Sequence, residues 1–295
     1  MLMMCNAPHF ARSFASCPFA WFLAFRRCSA DFGLHFLLFW EVYMSLLDTF
    51  DPDSEELIKV SQQRSFREVE NFPEVVIGTF KEEAFRVLTE IADAETVCSL
   101  RGGRTIPVYR MNRQERSIGL FHSLMGGAGT VCLMESLIAR GAKKFLFYGN
   151  CGVLNREIAA GHLILPTAAY RDEGTSYHYL PVSDYVEVPT QPHLAKIMGE
   201  LHLPCVSGRV WTTDAFYRET RSNMEKRKAD GCIAVDMECA SVMAAGQFRG
   251  VPVYQFFYAD DCLDGEKWDP RTLGARPTSS HEKYLRIALE IAARL

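Results

Sequence analysis

IAVDMECASVMAAGQFRGVPVYQFFYADD, residues 233–261, reads as strand, helix and strand in succession. Ile233–Val235 is a short apolar run that ends in Asp236 and Glu238, and the small-residue stretch that follows reads as a helix buried on one side. VPVYQFFY is a continuous apolar run rich in aromatics, the pattern of a strand buried on both faces, and it ends in two carboxylates. Such a unit argues for an α/β fold.

The same alternation extends outward. VVIGTF (75–80) reads as a strand followed by a helix through KEEAFRVLTEIADA (81–94). IPVYRMN (106–112) and SIGLFHSLM (117–125) read as two strands around the charged turn Arg113–Arg116. Gly126, Gly127 and Gly129 open a helix whose apolar positions Val131, Leu133, Leu137 and Ile138 recur at helical spacing until Gly141. KKFLFYGNCG (143–152) reads as a buried strand running into a glycine-bearing loop, and HLILPTAAY (162–170) as another strand. A long irregular stretch precedes a helix around Ala195–Leu201, CVSGRVWTTDAF (205–216) reads as strand and loop, and a helix from about Ser280 closes the chain. The expectation is a single α/β domain with a central mixed sheet flanked by helices.

Composition narrows the function. Of 295 residues, 48% are apolar and 23% charged, with a net charge of −4, so a sizeable core is available and no basic footprint for nucleic acid exists. The ten cysteines show no C-x-x-C pair and no zinc spacing, which fits a reducing cytoplasm and no metal. Residues 1–43 differ from the rest: rich in Phe, without amphipathic period, and interrupted by Arg26, Arg27 and Asp31 before any apolar run reaches the ~20 residues of a membrane span. The expectation is a leader, non-native or disordered, with Met44 as the true start and residues 44–295 as the domain. A membrane anchor is the rival reading.

In α/β folds, chemistry collects beyond the carboxyl ends of strands. Three segments qualify: Gly149–Gly152, Asp236–Glu238 and Asp260–Asp264. Two glycines around Asn150 and Cys151 allow close approach of backbone to a ligand, or simply a tight strand exit. Glu238 in a first helical turn suits the helix dipole, Asp236 suits a cap, and either could instead hold a ribose. Asp260 and Asp261 could cap a turn, whereas a carboxyl in an apolar pocket would have a raised pKa and act as a general acid. Arg171–Pro181, dense in donors and aromatics around His178, is too polar for core.

Together these segments resemble the nucleoside phosphorylase family, which takes in bacterial purine nucleoside phosphorylases, uridine phosphorylases and methylthioadenosine nucleosidases. The resemblance spans Pro73–Leu295 and is carried by GAKKFLFYGNCGVLN, HLILPTAAYRDEGTSYHYLP and VDMECASVMAAGQFRGVPVYQFFYADD. It implies that Met237 and Glu238 hold the ribose, that Phe216 stacks on the base, and that Asn150, Cys151 and Gly152 line the base pocket. It puts the purine-protonating Asp on Asp261, with Asp260 as fallback, and matches Arg221 to an Arg beside a uracil-reading Gln that has no clear equivalent in FYRETR. For phosphate it implies Gly78, Lys81 as a partial substitute for a loop Arg, and Arg104 as a group donated across a subunit interface.

The departures lie in that phosphate site. Phe147 and Asn150 stand where phosphorolytic members carry an Arg and a Ser or Thr, and a Phe forms none of the charge-assisted bonds an Arg would. No counterpart of the partner-subunit His lies between Met44 and Gly78. The expectation is cleavage of the N-glycosidic bond of purine nucleosides. Phosphorolysis is set ahead of hydrolysis on the family's habit, and Phe147 argues for water; a nucleoside-binding protein of the same fold is the rival from another class. Inorganic phosphate is the expected co-substrate, with no other cofactor. The expected partners are the nucleoside, phosphate and further copies of the chain in a dimer-based homo-oligomer up to a hexamer, with no nucleic acid and no membrane.

Overall fold

The run VYQFFYADDC forms β10 (Val253–Cys262), and each of its residues is buried. A strand covered on both faces needs no polar alternation, which is why the sequence shows none. The structure, a computed structural model, describes residues 45–82, 86, 94–113 and 115–295. The expected leader therefore lies outside the described residues, as does most of the helix expected over 81–94. Leu46–Leu295 forms one compact unit.

The other strands are β1 (Val75–Thr79), β2 (Glu95–Arg101), β3 (Thr105–Arg113), β4 (Arg116–His122), β5 (Lys144–Val153), β6 (Leu163–Asp172), β7 (Tyr185–Glu187), β8 (Cys205–Thr213) and β9 (Cys232–Asp236). All belong to one mixed sheet in the order β10-β6-β8-β9-β5-β1-β4-β3-β2, with β7 beside β6. Because β10 also pairs with β5, five of these strands close into a ring. β5 makes this possible by forking. Its first half runs parallel to β1, and its last two residues pair with β9, Gly152 opposite Val235 and Val153 opposite Ala234.

Helices α1 (Gly127–Ile138), α2 (Gln191–Glu200), α3 (Arg221–Ala229), α4 (Cys239–Arg249) and α5 (Thr278–Ala292) flank the sheet. Val131–Leu137 of α1 and Cys239–Ala245 of α4 share one core cluster with Phe145, Phe147 and Phe257. Leu194–Met198 of α2 and Tyr284–Ala292 of α5 share another with Leu146, Tyr148 and Phe256. Alternate residues of β5 and β10 thus feed opposite cores, as the two-residue strand period requires.

Two expectations need correction. Gly149–Gly152 is not a loop after a strand, since β5 continues through it to Val153, and Asp260–Cys262 likewise belongs to β10. Glycine inside a strand here marks close approach rather than strand exit. A Cβ on Gly152 would lie 2.7 Å from Leu263, 3.0 Å from Val235 and 3.3 Å from an Asp261 carboxyl oxygen. That tight meeting of β5, β9 and β10 is where the ring closes.

Candidate active site

The β9–α4 junction separates two acidic roles that the sequence left open. Asp236 is the structural one: its Oδ2 accepts the backbone N–H groups of Glu238 (2.8 Å) and Cys239 (2.6 Å), and its Oδ1 accepts from the Thr212 hydroxyl (2.7 Å). It satisfies donors that the start of α4 would otherwise leave unpaired. Glu238 is released from capping. Its Oε1 accepts the Gly126 N–H at 2.7 Å, at the start of α1. Burial first, then the neighbouring Asp236 charge, push the Glu238 carboxyl up to about 8, against the Gly126 bond that lowers it. Burial likewise pushes Asp236 up to about 6. Met237 between them is half-buried.

The same separation occurs on β10. The β5–β10 register slips between Ala259 and Asp261, so Asp260 is the extra residue of a bulge, a device that re-aims side chains. Asp260 is tied to a buried cation: its Oδ1 accepts from Arg276 Nε (2.9 Å) and Nη2 (2.7 Å) and from the Thr272 hydroxyl (2.7 Å). Asp261 turns towards Gly152 and accepts one bond, from Trp268 Nε1 at 2.7 Å. Burial raises the Asp261 carboxyl above its usual range; the Trp268 bond opposes this and the Asp260 charge adds to it. Of the two candidates for the proton donor, the geometry leaves Asp261 available and Asp260 locked.

Beside Asp261 opens a cleft of about 260 Å³ lined by Phe216, Tyr217, Glu219, Arg221, Met224, Leu263 and Trp268. Phe216 lies in the short turn between β8 and α3, 38% exposed, edge-on to Tyr217 at 5.0 Å. Arg221 reaches across to the Glu266 carbonyl at 2.6 Å. Cys151 is buried, its thiol 3.8 Å from the Tyr258 carbonyl, and burial pushes it well up, so it is a neutral wall rather than a nucleophile. Asn150 is half-buried on β5 opposite Tyr258. Gly152 and Asp261 thus meet where β5 and β10 close, Phe216 and Arg221 line the neighbouring cleft, and Glu238 stands at the β9–α4 junction outside that lining.

Of the residues expected at phosphate, Gly78 and Lys81 do not join them, and Arg104 is expected at the site of a neighbouring subunit. Gly78 faces the Phe147 ring, and a Cβ there would come within 2.4 Å of it. Phe147 is fully buried and packs against Phe80 (6.2 Å), Phe121 (6.2 Å) and Phe145 (5.8 Å). Arg104, in the β2–β3 turn, lies 2.8 Å from His122 Nδ1, and Lys81 is half-buried just past β1. Neither makes a hydrogen bond to Glu238, Asp236 or Asp261 among the described residues.

The donor-rich segment Arg171–Pro181 is organised from within. Arg171 is buried, donates to Ser176 Oγ, Ser183 Oγ and the carbonyls of Leu180 and Pro181, and lies 3.9 Å over the Tyr177 ring. His178 is exposed. Sequence reasoning passed over Trp268 and Glu219. A tryptophan in the polar run GEKWDP was the available signal for the first; an acid amid FYRETR gave none for the second.

A family model described as the phosphorylase superfamily matches residues 70–294. The guanosine phosphorylase of Halorubrum lacusprofundi is 29% identical over 134 residues, 43% of this chain and 54% of that protein, so the match spans about half of the relative. Among solved structures, the purine nucleoside phosphorylase of Toxoplasma gondii in complex with immucillin-H superposes with a TM-score of 0.64 at 23% identity, covering 82% of this chain and 97% of that one. The futalosine hydrolase of Helicobacter pylori does so with a TM-score of 0.62 at 19% identity, covering 76% and 99%. These likenesses show a shared fold.

Proposed function

The chain belongs to the phosphorylase superfamily, and from that premise we propose that it cleaves the N-glycosidic bond of purine nucleosides with water as the acceptor. Breaking the bond from C1′ to the base nitrogen builds positive charge on the sugar and negative charge on the base. Glu238 binds the ribose hydroxyls and, in its ionised form, favours the cationic sugar. Phe216 stacks on the base in the cleft. Asp261 gives the departing base its proton, a general-acid contribution of order 10²–10⁴-fold. The water oxygen bonds to C1′ as the bonding pair leaves with the base. The proton that water loses replaces the one Asp261 gave, so the products are free ribose and free base.

The observation that carries the choice of acceptor is Phe147. Its ring occupies the space in front of Gly78 and is held there by three further phenylalanines, an environment that would desolvate a phosphate without compensating it. Phosphorolysis is the second reading, favoured by the exposed Arg104 beside His122, with Lys81 as an auxiliary cation.

A panel of purine and pyrimidine nucleosides, followed for release of free base, tests the reaction. Purine nucleosides should yield free base, and pyrimidine nucleosides should lag well behind. Absence of release from any nucleoside would remove the activity and leave a binding protein.

A further inference from the structure

One carboxyl lining the cleft has no part in the chemistry above. Glu219 follows the Phe216–Arg218 turn and precedes Thr220, the residue that caps α3. Its backbone is fixed, its N–H donating to the Phe216 carbonyl at 3.4 Å. Its side chain makes no hydrogen bond or ion pair among the described residues, whereas its neighbours are engaged. Asp261 accepts from Trp268, Asp236 accepts from Thr212 and the start of α4, and Arg221 donates to the Glu266 carbonyl. A partly buried acid left uncommitted beside a stacking aromatic is placed to meet a polar edge of whatever stacks there.

Resting on the reading of this site as a purine nucleoside site, we propose that Glu219 reads the 6-substituent of the purine and makes base preference a function of pH. As a neutral acid it offers an O–H donor and a carbonyl acceptor and meets either a 6-oxo or a 6-amino group; as a carboxylate it can only accept, and pairs with a 6-amino group alone. A 6-oxo group facing the carboxylate sets two acceptors against each other and costs that base roughly tenfold or more.

The charges facing Glu219 set where the change falls. Asp261 comes from β10 and Asp236 from β9; Tyr217 and Arg221 flank it on its own segment, and Trp268 closes the far wall. Burial first, then Asp261, then Asp236, push Glu219 up to about 8. Below that pH the neutral acid accommodates both bases, and as pH rises through it the carboxylate disfavours 6-oxopurines and the preference moves to 6-aminopurines. Asp261 and Glu238 serve both substrates equally, so their own titrations cancel in the ratio.

The test is the ratio of kcat/KM for inosine over adenosine across that pH range, in the wild type and in Glu219→Gln. The wild-type ratio should fall tenfold or more in one step near pH 8. Glutamine offers both a donor and an acceptor at every pH, so the variant should cleave both substrates with a flat ratio. A flat wild-type ratio, or the same step surviving in the variant, would overturn the proposal. Calorimetric binding of hypoxanthine and adenine reads the same ratio without turnover. Lack of turnover with pH-switched base affinity would count against the reaction alone; base affinity that is absent or indifferent to pH would count against Glu219.

Discussion

The carboxyl ends of β9 and β10 and the β1–β5 end of the sheet, where Gly78 pairs with Phe147 in the first half of β5, are made of the same material, buried strands meeting in one sheet, and they are finished in opposite ways. At the β9–β10 end three acids, Glu238, Asp236 and Asp261, are buried without an ion pair among the described residues, and the cost shows in carboxyls pushed up to about 8 and about 6. At the β1–β5 end, Phe80, Phe121, Phe145 and Phe147 stack into an apolar plug at no such cost. Unpaired buried acids are a standing penalty, and perturbed groups of this kind concentrate at functional sites. The difference teaches that one end is kept for chemistry and the other has been given over to the core. Substitutions at the first should therefore change activity and spare or raise stability, and substitutions at the second should do the reverse.

The largest effect should come from Asp261→Asn. An amide keeps a hydrogen bond to the base and cannot deliver a proton, so cleavage of purine nucleosides should fall by roughly 10²–10⁴-fold. A nitrophenyl riboside, whose leaving group needs no proton, should be cut nearly as before. Asp260→Asn is the contrast one residue away. It leaves Arg276 buried without its partner and should cost roughly 3–5 kcal/mol of stability while chemistry in the surviving fold persists. Equal losses on both substrates in Asp261→Asn would break the assignment.

Phe147→Ala should cost about 3–5 kcal/mol in denaturant unfolding, as for a large aromatic removed from a packed core. Its kcat on purine nucleosides should stay close to wild type at temperatures where it is folded. A kcat that collapses with little loss of stability would return the β1–β5 end to the active site.

Glu238→Gln should lose most turnover, and its stability sharpens the comparison further. A carboxyl whose folded pKa lies above its unfolded value stabilises at low pH and loses that contribution as pH rises through the folded value. Wild-type Tm should therefore decline between about pH 4.5 and pH 8 as Glu238 is forced to ionise. The amide carries no such penalty. The variant should match the wild type near pH 5 and melt above it at pH 9, by roughly 2–4 °C for each kcal/mol relieved. Identical pH profiles of Tm would mean that Glu238 is not held as described.

Much of this contrast was legible in the sequence, through particular residues. The buried strands β5 and β10 announce themselves because both cores draw on them, and the α4 helix because one core buries most of its length. Phe147 was visible as a departure at the phosphate position; what it packs against was not, since Phe80 follows β1 and Phe121 comes from β4, both distant in sequence. β2 was missed because it is an outer strand of the sheet with Leu100 its one buried residue, and α3 because Met224 is its one buried residue. Asp260 and Asp261 are indistinguishable in sequence, and a bulge of one residue decides between them. Asp236 and Glu238 are likewise separated only by which of them meets the N–H groups of α4.

The dependence of the initial rate on inorganic phosphate, with identification of the sugar product, tests the contrast most directly. With the plug formed by Phe147 in place, inosine should give free ribose at a rate that does not change as phosphate is raised from zero to the tens of millimolar. A rate that vanishes without phosphate and saturates with it, yielding ribose 1-phosphate, would contradict the account and show that the β1–β5 end still binds the anion.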